Sequence, residues 1–258
     1  MKFSKTASDV YKVKDREIRR LNDLNINRDH SLYLHYKFYQ DELFKALKQH
    51  AKGKLLDIGC GNKPYKQLIE HQIESYLGCD IVQSENNTVD IICNADEIPM
   101  ESSLFDTVIS TQTIEHVENP QGLVAEAYRL VKPNGYLIIS GPMYWPLHEE
   151  PFDFYRFTKY GFKHTIEHAG FEIETICPCG GKWALAGQAL LHAIYPTLYN
   201  IKGFKGKIIG FIVKTLRLIK LINIVFEHLD NHVTDYTNTM NYVVIAKKTV
   251  KNFEDTTA

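Results

Sequence analysis

The stretch Lys54 to Tyr65, KLLDIGCGNKPY, decides how the rest of the chain is read. Leu55, Leu56 and Ile58 form the apolar run of a strand covered on both faces, as strands of a parallel sheet are. Gly59 and Gly61 let the backbone turn sharply and let a ligand approach bare peptide. Pro64 suits the first turn of a following helix, where its missing N–H is not needed. Strand, glycine turn and helix start together predict a nucleotide-type site at the carboxyl edge of a parallel sheet. The glycines alone are weak evidence, because Lys63 stands where a third glycine would complete the dinucleotide fingerprint.

Working outward, Ser75 to Asp80 reads as a second strand ending in an acid, and 80 − 57 places that acid 23 residues after Asp57. This is close to the roughly 20-residue spacing at which a carboxylate reaches ribose hydroxyls. Thr88 to Cys93, Phe105 to Ser110, Gly135 to Ser140, Phe171 to Ile176 and Asn241 to Lys247 read as further strands. Helical patterns lie between them: Gln121 to Val131 is amphipathic and stopped by Pro133-Asn134-Gly135, and Thr158 is the expected N-cap of a helix ending near Ala169. The alternation predicts an α/β chain with a doubly wound, mostly parallel sheet.

LLDIGCG, with an acid at the end of the next strand, resembles motif I of the class I S-adenosylmethionine-dependent methyltransferases. The resemblance covers about residues 50 to 177 and the last strand. It implies S-adenosyl-L-methionine as cofactor and a Rossmann-like sheet of order 3-2-1-4-5-7-6 with one antiparallel strand. It further implies that Asp57, Gly59, Gly61, Asp80, Ile81, Ala95, Asp96, Ser110 and Gln112 hold the cofactor. Asp96 and the Ala95 backbone would read the adenine, with Ser110 and Gln112 beside the methionine part; a turn cap is the other reading of Asp96. The run Asp153-x-Tyr155-Arg156-Phe157-Thr158 resembles type 11-like methyltransferases of bacterial surface-polysaccharide gene clusters.

Gly141 to Phe157, rich in proline and aromatics, leaves the carboxyl end of the fifth strand, where the substrate edge of such a sheet lies. Its His148 is the candidate general base for a hydroxyl acceptor. Glu149, Glu150 and Asp153 are placed to orient it, and Glu149, Asp153, Tyr155 and Arg156 are candidate substrate-binding residues. A loop-pinning hydrogen bond to Asp153 is the structural alternative for His148, and the Glu115-His116 pair reads as a structural lead into the next helix. The function expected is O-methylation of a glycan or lipid-linked acceptor. Methylation of a small-molecule N or C acceptor, a nicotinamide-dependent oxidoreductase and a non-catalytic scaffold stay open beside it. Against the oxidoreductase stands Lys63, which breaks the fuller glycine fingerprint, and against the scaffold the intact Asp57, Asp80 and Asp96.

With 258 residues and 44% hydrophobic composition, one domain is expected: a helical cap over 1–50, a Rossmann-like core over 51–179 and 240–250, and a helical insert over 180–239. Residues 1 to 30 suggest a polar helix or a mobile arm. A net charge of −1 argues against nucleic acid as a partner. Gly180 to Phe226, however, carries seven Lys/Arg and no acid amid many large apolar residues. That composition fits peripheral contact with an anionic membrane, or a lid or homodimer surface. A helix starting near Lys207 would set Lys207, Lys214 and Arg217 opposite Ile208, Ile212, Leu216 and Ile219. The same cations argue against a membrane span. Five cysteines, an odd number, point to reduced thiols and a cytoplasmic setting, peripheral to the inner membrane face if the insert binds lipid. Cys177 and Cys179 lack a second pair at ligand spacing, so no metal is expected. The polar N-terminus carries no secretory h-region.

Overall fold

The computed structural model describes residues 8–13, 16–21, 24–201 and 203–250. Its centre is a seven-stranded sheet: β3 (Gly53–Ile58), β4 (Ile73–Asp80), β5 (Ile91–Ile92), β6 (Phe105–Thr111), β7 (Val131–Pro142), β8 (Glu172–Cys179) and β9 (Asn241–Lys247). The spatial order is β5-β4-β3-β6-β7-β9-β8, with β9 antiparallel to both neighbours and the others parallel. This is the 3-2-1-4-5-7-6 order that the resemblance implies.

Period-two alternation sends the strands' apolar residues to two cores. Leu55, Ile109, Ile138, Val243 and Ile245 face α1 (Tyr33–His50), which supplies Tyr39, Leu43 and Leu47. Leu56, Ile58, Val108, Leu137 and Ile139 face the opposite side, against Leu123, Val124 and Ala127 of α3 (Pro120–Leu130) and Phe162 and Ile166 of α4 (Lys159–His168). Asn119 caps α3 by accepting from Gly122 N at 3.0 Å, and Thr158 caps α4 by accepting from Gly161 N at 3.0 Å.

Three elements depart from the sequence expectations. The stretch expected to be a polar helix or mobile arm contains an antiparallel hairpin, β1 (Ser8–Val13) with β2 (Arg16–Leu21). The helix expected after the glycine turn is a single turn, α2 (Lys66–Ile69), because Lys63, Pro64 and Tyr65 are spent in the turn before it. The continuous helix expected from Lys207 is two helices, α6 (Gly203–Thr215) and α7 (Leu218–His232), broken at Arg217, where φ is 49°. The side chains of Lys202, Lys207 and Lys214, on which that expectation leaned, lie outside the described residues.

The insert is helical as expected, opening with α5 (Lys182–Asn200). It is fastened from α7. Asp230, 5% exposed, accepts at Oδ2 from Gly181 N (2.8 Å) and at Oδ1 from Trp183 N (3.1 Å) and Ala184 N (2.9 Å), placing a carboxylate on the N-terminus of α5. Glu227 holds Arg28 Nε at 2.7 Å and Tyr33 OH at 3.1 Å, and Asn223 Nδ2 donates to the Arg28 and His30 carbonyls. The insert and α1 thus form one cap over the β7 side of the sheet's carboxyl edge.

Candidate active site

The glycine turn at the end of β3 is closely packed, with Gly59 N and Cys60 N both donating to the Cys79 carbonyl at 2.8 and 3.0 Å. Gly59 has φ 77°, and a Cβ there would meet Thr113 Oγ1 at 2.2 Å. Asp80 ends β4 with its side chain 5% exposed, and its Oδ2 accepts from Gly61 N at 3.0 Å. The acid expected at the ribose therefore holds the turn itself. Lys63 explains the missing third glycine: its chain crosses Gly78, where a Cβ would meet Lys63 Cε at 2.5 Å, and its ammonium pairs with Asp90.

The other cofactor residues divide by depth. Asp57 is buried and accepts from Tyr76 OH at 2.5 Å, tying β3 to β4. Ser110 is fully buried with its Oγ on the Ile58 carbonyl at 3.1 Å, so its hydroxyl ties β6 to β3 beneath the edge. Gln112 sits at the edge with φ 51°, its Nε2 on Ser140 Oγ at 3.3 Å. Ile81, at 47% exposed, half-buried Ala95 and exposed Asp96 surround the β4 and β5 ends, an arrangement that suits a flat aromatic ring.

On the other side of the edge, the segment after β6 meets the loop after β7. The Glu115 carbonyl accepts from Phe154 N (2.9 Å) and Tyr155 N (3.3 Å), and Tyr155 OH donates to the Glu118 carbonyl at 2.9 Å. Arg156 grips both oxygens of Asp153 at 2.6 and 2.8 Å and donates from Nε to the Trp145 carbonyl at 3.1 Å. Asp153 Oδ2 in turn holds His148 through its backbone N (3.0 Å) and Nδ1 (3.2 Å). Asp153 and Arg156 are thus engaged within the loop, where they place His148, and Tyr155 ties the loop to the segment after β6. Glu149 is buried, with φ 52°.

His148 faces His116, ring centroids 4.6 Å apart, and Glu115 lies beside them, 1% exposed. Burial pushes the Glu115 carboxyl up to about 8, with the charges of Glu149 and Asp153 adding and Arg156 opposing. Burial works to raise Asp153 too, but the Arg156 fork and the His148 donors outweigh it and hold that carboxyl at about 2. His148 is lowered, by burial first and by His116 second, against the pull of Asp153.

The wall above comes from the cap. His35 of α1 packs its ring 4.1 Å from Trp145, and His192 of α5 lies 4.8 Å from the same indole. Burial holds His35 at about 3 and His192 at about 4, so both are neutral rings in an aromatic wall. No sequence signal joins them, since 192 − 35 sets them 157 positions apart. Glu115 and His116 were visible in sequence as an acid and a histidine after a strand; what sequence did not carry is that the next loop lays His148 against them.

Residues 56–139 match the family model described as "Methyltransferase domain". A Mycolicibacterium smegmatis protein named "Probable S-adenosylmethionine-dependent methyltransferase" is 26% identical over 155 residues, 54% of this chain and 60% of the relative. A Rickettsia typhi protein named "Ubiquinone biosynthesis O-methyltransferase" is 26% identical over 150 residues, 54% of this chain and 58% of the relative. The chain thus spans about three-fifths of the length of these relatives. Among solved structures, an S-adenosylmethionine-dependent methyltransferase from Mesorhizobium loti superposes at TM-score 0.50 with 16% identity, covering 81% of this chain and 97% of that one. The [4+2]-cyclase SpnF superposes at 0.54 with 16% identity, covering 89% and 85%. At that identity the superpositions speak to fold alone. The Gly59–Gly61 turn, held by Asp80 through the Gly61 N–H, fits S-adenosylmethionine. Residues 56–139 thus match a methyltransferase domain, on a sheet with the strand order of the class I S-adenosylmethionine-dependent methyltransferase fold.

Proposed function

We propose that the protein transfers a methyl group from S-adenosylmethionine to an oxygen of a lipid-linked or glycan acceptor. The observation that carries this reading is the meeting, along one sheet edge, of the Gly59–Gly61 turn on Asp80 with a half-buried His148–Asp153 pair on the loop after β7. S-adenosylmethionine, when bound, supplies an electrophilic methyl group. Asp80 and the turn would hold its ribose, Ile81, Ala95 and Asp96 its adenine, and Gln112 would stand beside its amino-acid part. Asp153 keeps the proton of His148 on Nδ1, leaving the Nε2 lone pair to receive the acceptor's hydroxyl proton. Trp145, with His35 and His192, walls that position and excludes water.

Support for oxygen as the acceptor atom comes from the Rickettsia typhi relative, which is named an O-methyltransferase. Support for a lipid-linked acceptor comes from α6. Phe204, Ile208, Phe211 and Ile212, spaced to share one helix face, are all exposed, Phe204 at 78% and Phe211 at 69%. Exposed Lys205 and Arg217 flank them, and no acid lies between Gly180 and Phe226. An anionic membrane surface suits such a face. No described helix is long and apolar enough to cross a membrane.

Incubation with methyl-labelled cofactor and fractionated cell extract tests the reading. Label is expected in an organic-soluble or glycan fraction. Label confined to small water-soluble amines would overturn it.

A further inference from the structure

We propose that Glu115, His116 and His148 form a binding site for one divalent transition-metal cation at the acceptor end of the cleft. Each offers one ligand atom, and the three lie within 4.8 Å of one another; Glu115 Oε1 is 3.9 Å from His116 Nε2. Ligand atoms in a filled site with bonds of about 2.0 to 2.2 Å sit roughly 3 to 3.5 Å apart, so small side-chain rotations close the set.

Two further observations point to a ligand. First, both imidazoles are prepared alike. His116 Nδ1 faces the Phe152 carbonyl at 2.8 Å, and His148 Nδ1 faces Asp153 Oδ2 and the Pro146 carbonyl, each at 3.2 Å. All these partners are acceptors, so each Nδ1 carries the hydrogen and each Nε2 presents a lone pair. A ring fixed through Nδ1–H by a carboxylate or a carbonyl is how metal-ligating histidines are oriented. Second, Glu115 Oε2 is buried without a hydrogen-bond partner in a side chain otherwise closed to solvent. An orphaned carboxylate oxygen is costly, and a cation between it and the two Nε2 atoms removes the cost.

Two imidazoles and one carboxylate leave coordination positions open and suit Mn²⁺, Zn²⁺ or Fe²⁺ better than Ca²⁺. The role follows from the proposed function, on which this part rests. An acceptor hydroxyl drawn to an open position would lose its proton to water more readily. Its oxygen would take the methyl group, and the electron pair of the broken S–CH₃ bond would remain on sulfur. His148 would then act as a ligand, and hydroxyl activation would pass from its lone pair to the cation.

The test uses the full chain, stripped with a chelator and titrated with Mn²⁺ while free Mn²⁺ is followed by electron paramagnetic resonance. One equivalent is expected to bind with micromolar affinity. Glu115→Gln and His148→Asn should each weaken binding at least tenfold, and Asp153→Asn, which reaches the site only through His148, about tenfold. S-adenosylmethionine affinity, read by calorimetry, should hold in all three and shows that they fold. Absence of stoichiometric Mn²⁺ binding, with Zn²⁺ equally without effect, overturns the site, as do folded variants that bind Mn²⁺ like the parent. Methyl transfer that survives chelation would sink the site and leave the methyl-transfer reading standing. Tight Mn²⁺ binding with no methylated product would do the reverse.

Discussion

Asp80 is the residue whose replacement separates cofactor recognition from the architecture of the turn. It accepts from Gly61 N at 3.0 Å in the folded chain, and in the proposed function it takes a second task at the end of β4, holding the ribose hydroxyls. Removing it with Asp80→Ala forfeits two charge-assisted hydrogen bonds at about 1.5 to 3 kcal/mol each, and it leaves a buried N–H unsatisfied at about 1 to 3 kcal/mol of stability. Since about 1.4 kcal/mol is tenfold in affinity, the Kd for S-adenosylmethionine should rise by roughly 10²- to 10⁴-fold. Asp80→Asn keeps an acceptor oxygen for Gly61 and loses only the charge, so its Kd should fall between the parent's and alanine's. Titration calorimetry with S-adenosylmethionine measures both, and thermal unfolding reports the fold. A folded Asp80→Ala variant with the parent's affinity would refute the assignment, and equal losses in Asn and Ala would refute the division of its two tasks.

The remaining expectations concern the turn, the cap and the membrane face. Gly59→Ala forces a Cβ onto Thr113 at φ 77° and should cost about 2 kcal/mol or more, lowering Tm by about 5 °C; a Tm within 1 to 2 °C or so of the parent's would contradict it. His35, held at about 3 by burial, takes up its proton near pH 6.5 only when unfolded. Its contribution is therefore complete above pH 6.5 and falls away toward pH 3, by about 3 kcal/mol at pH 4. Urea midpoints between pH 7 and 4.5 should decline less steeply in His35→Gln than in the parent. Asp230→Ala frees three N–H groups at the start of α5 and should speed amide exchange there by about 30- to 100-fold, at about 2 to 3 kcal/mol, while β3 and β6 keep their protection. Co-sedimentation with anionic vesicles should be strong, should release at high salt, and should weaken when Phe204 and Phe211 become Ser; indifference to vesicles would leave the α6 face to another partner.

The sheet was legible because its signals are local and periodic. LLDI runs into two glycines, Asp80 follows at ribose spacing, and Pro133-Asn134-Gly135 marks the step into β7. The helix broken at Arg217 was not legible, since a left-handed residue between two good helical patterns leaves no mark in an apolar periodicity. Asp153 was legible as an anchor for His148, but the work of Arg156 was not. In sequence Arg156 read as a charge on offer to a substrate, whereas in the fold its short separation from Asp153 closes a fork that spends both on holding His148. Asp230 capping α5 and Glu227 gripping Arg28 join residues 46 to 199 positions apart, and contacts at that range come only from tertiary packing.

The account's central claim is methyl transfer to oxygen. Its most direct test is the fate of the ¹³C-labelled methyl group of S-adenosylmethionine in the isolated product, read by carbon NMR. The account predicts a methoxy carbon, formed in step with S-adenosylhomocysteine and lost in Asp80→Ala. An N-methyl or C-methyl carbon, or cofactor bound tightly with no methylated product from any fraction, would contradict it.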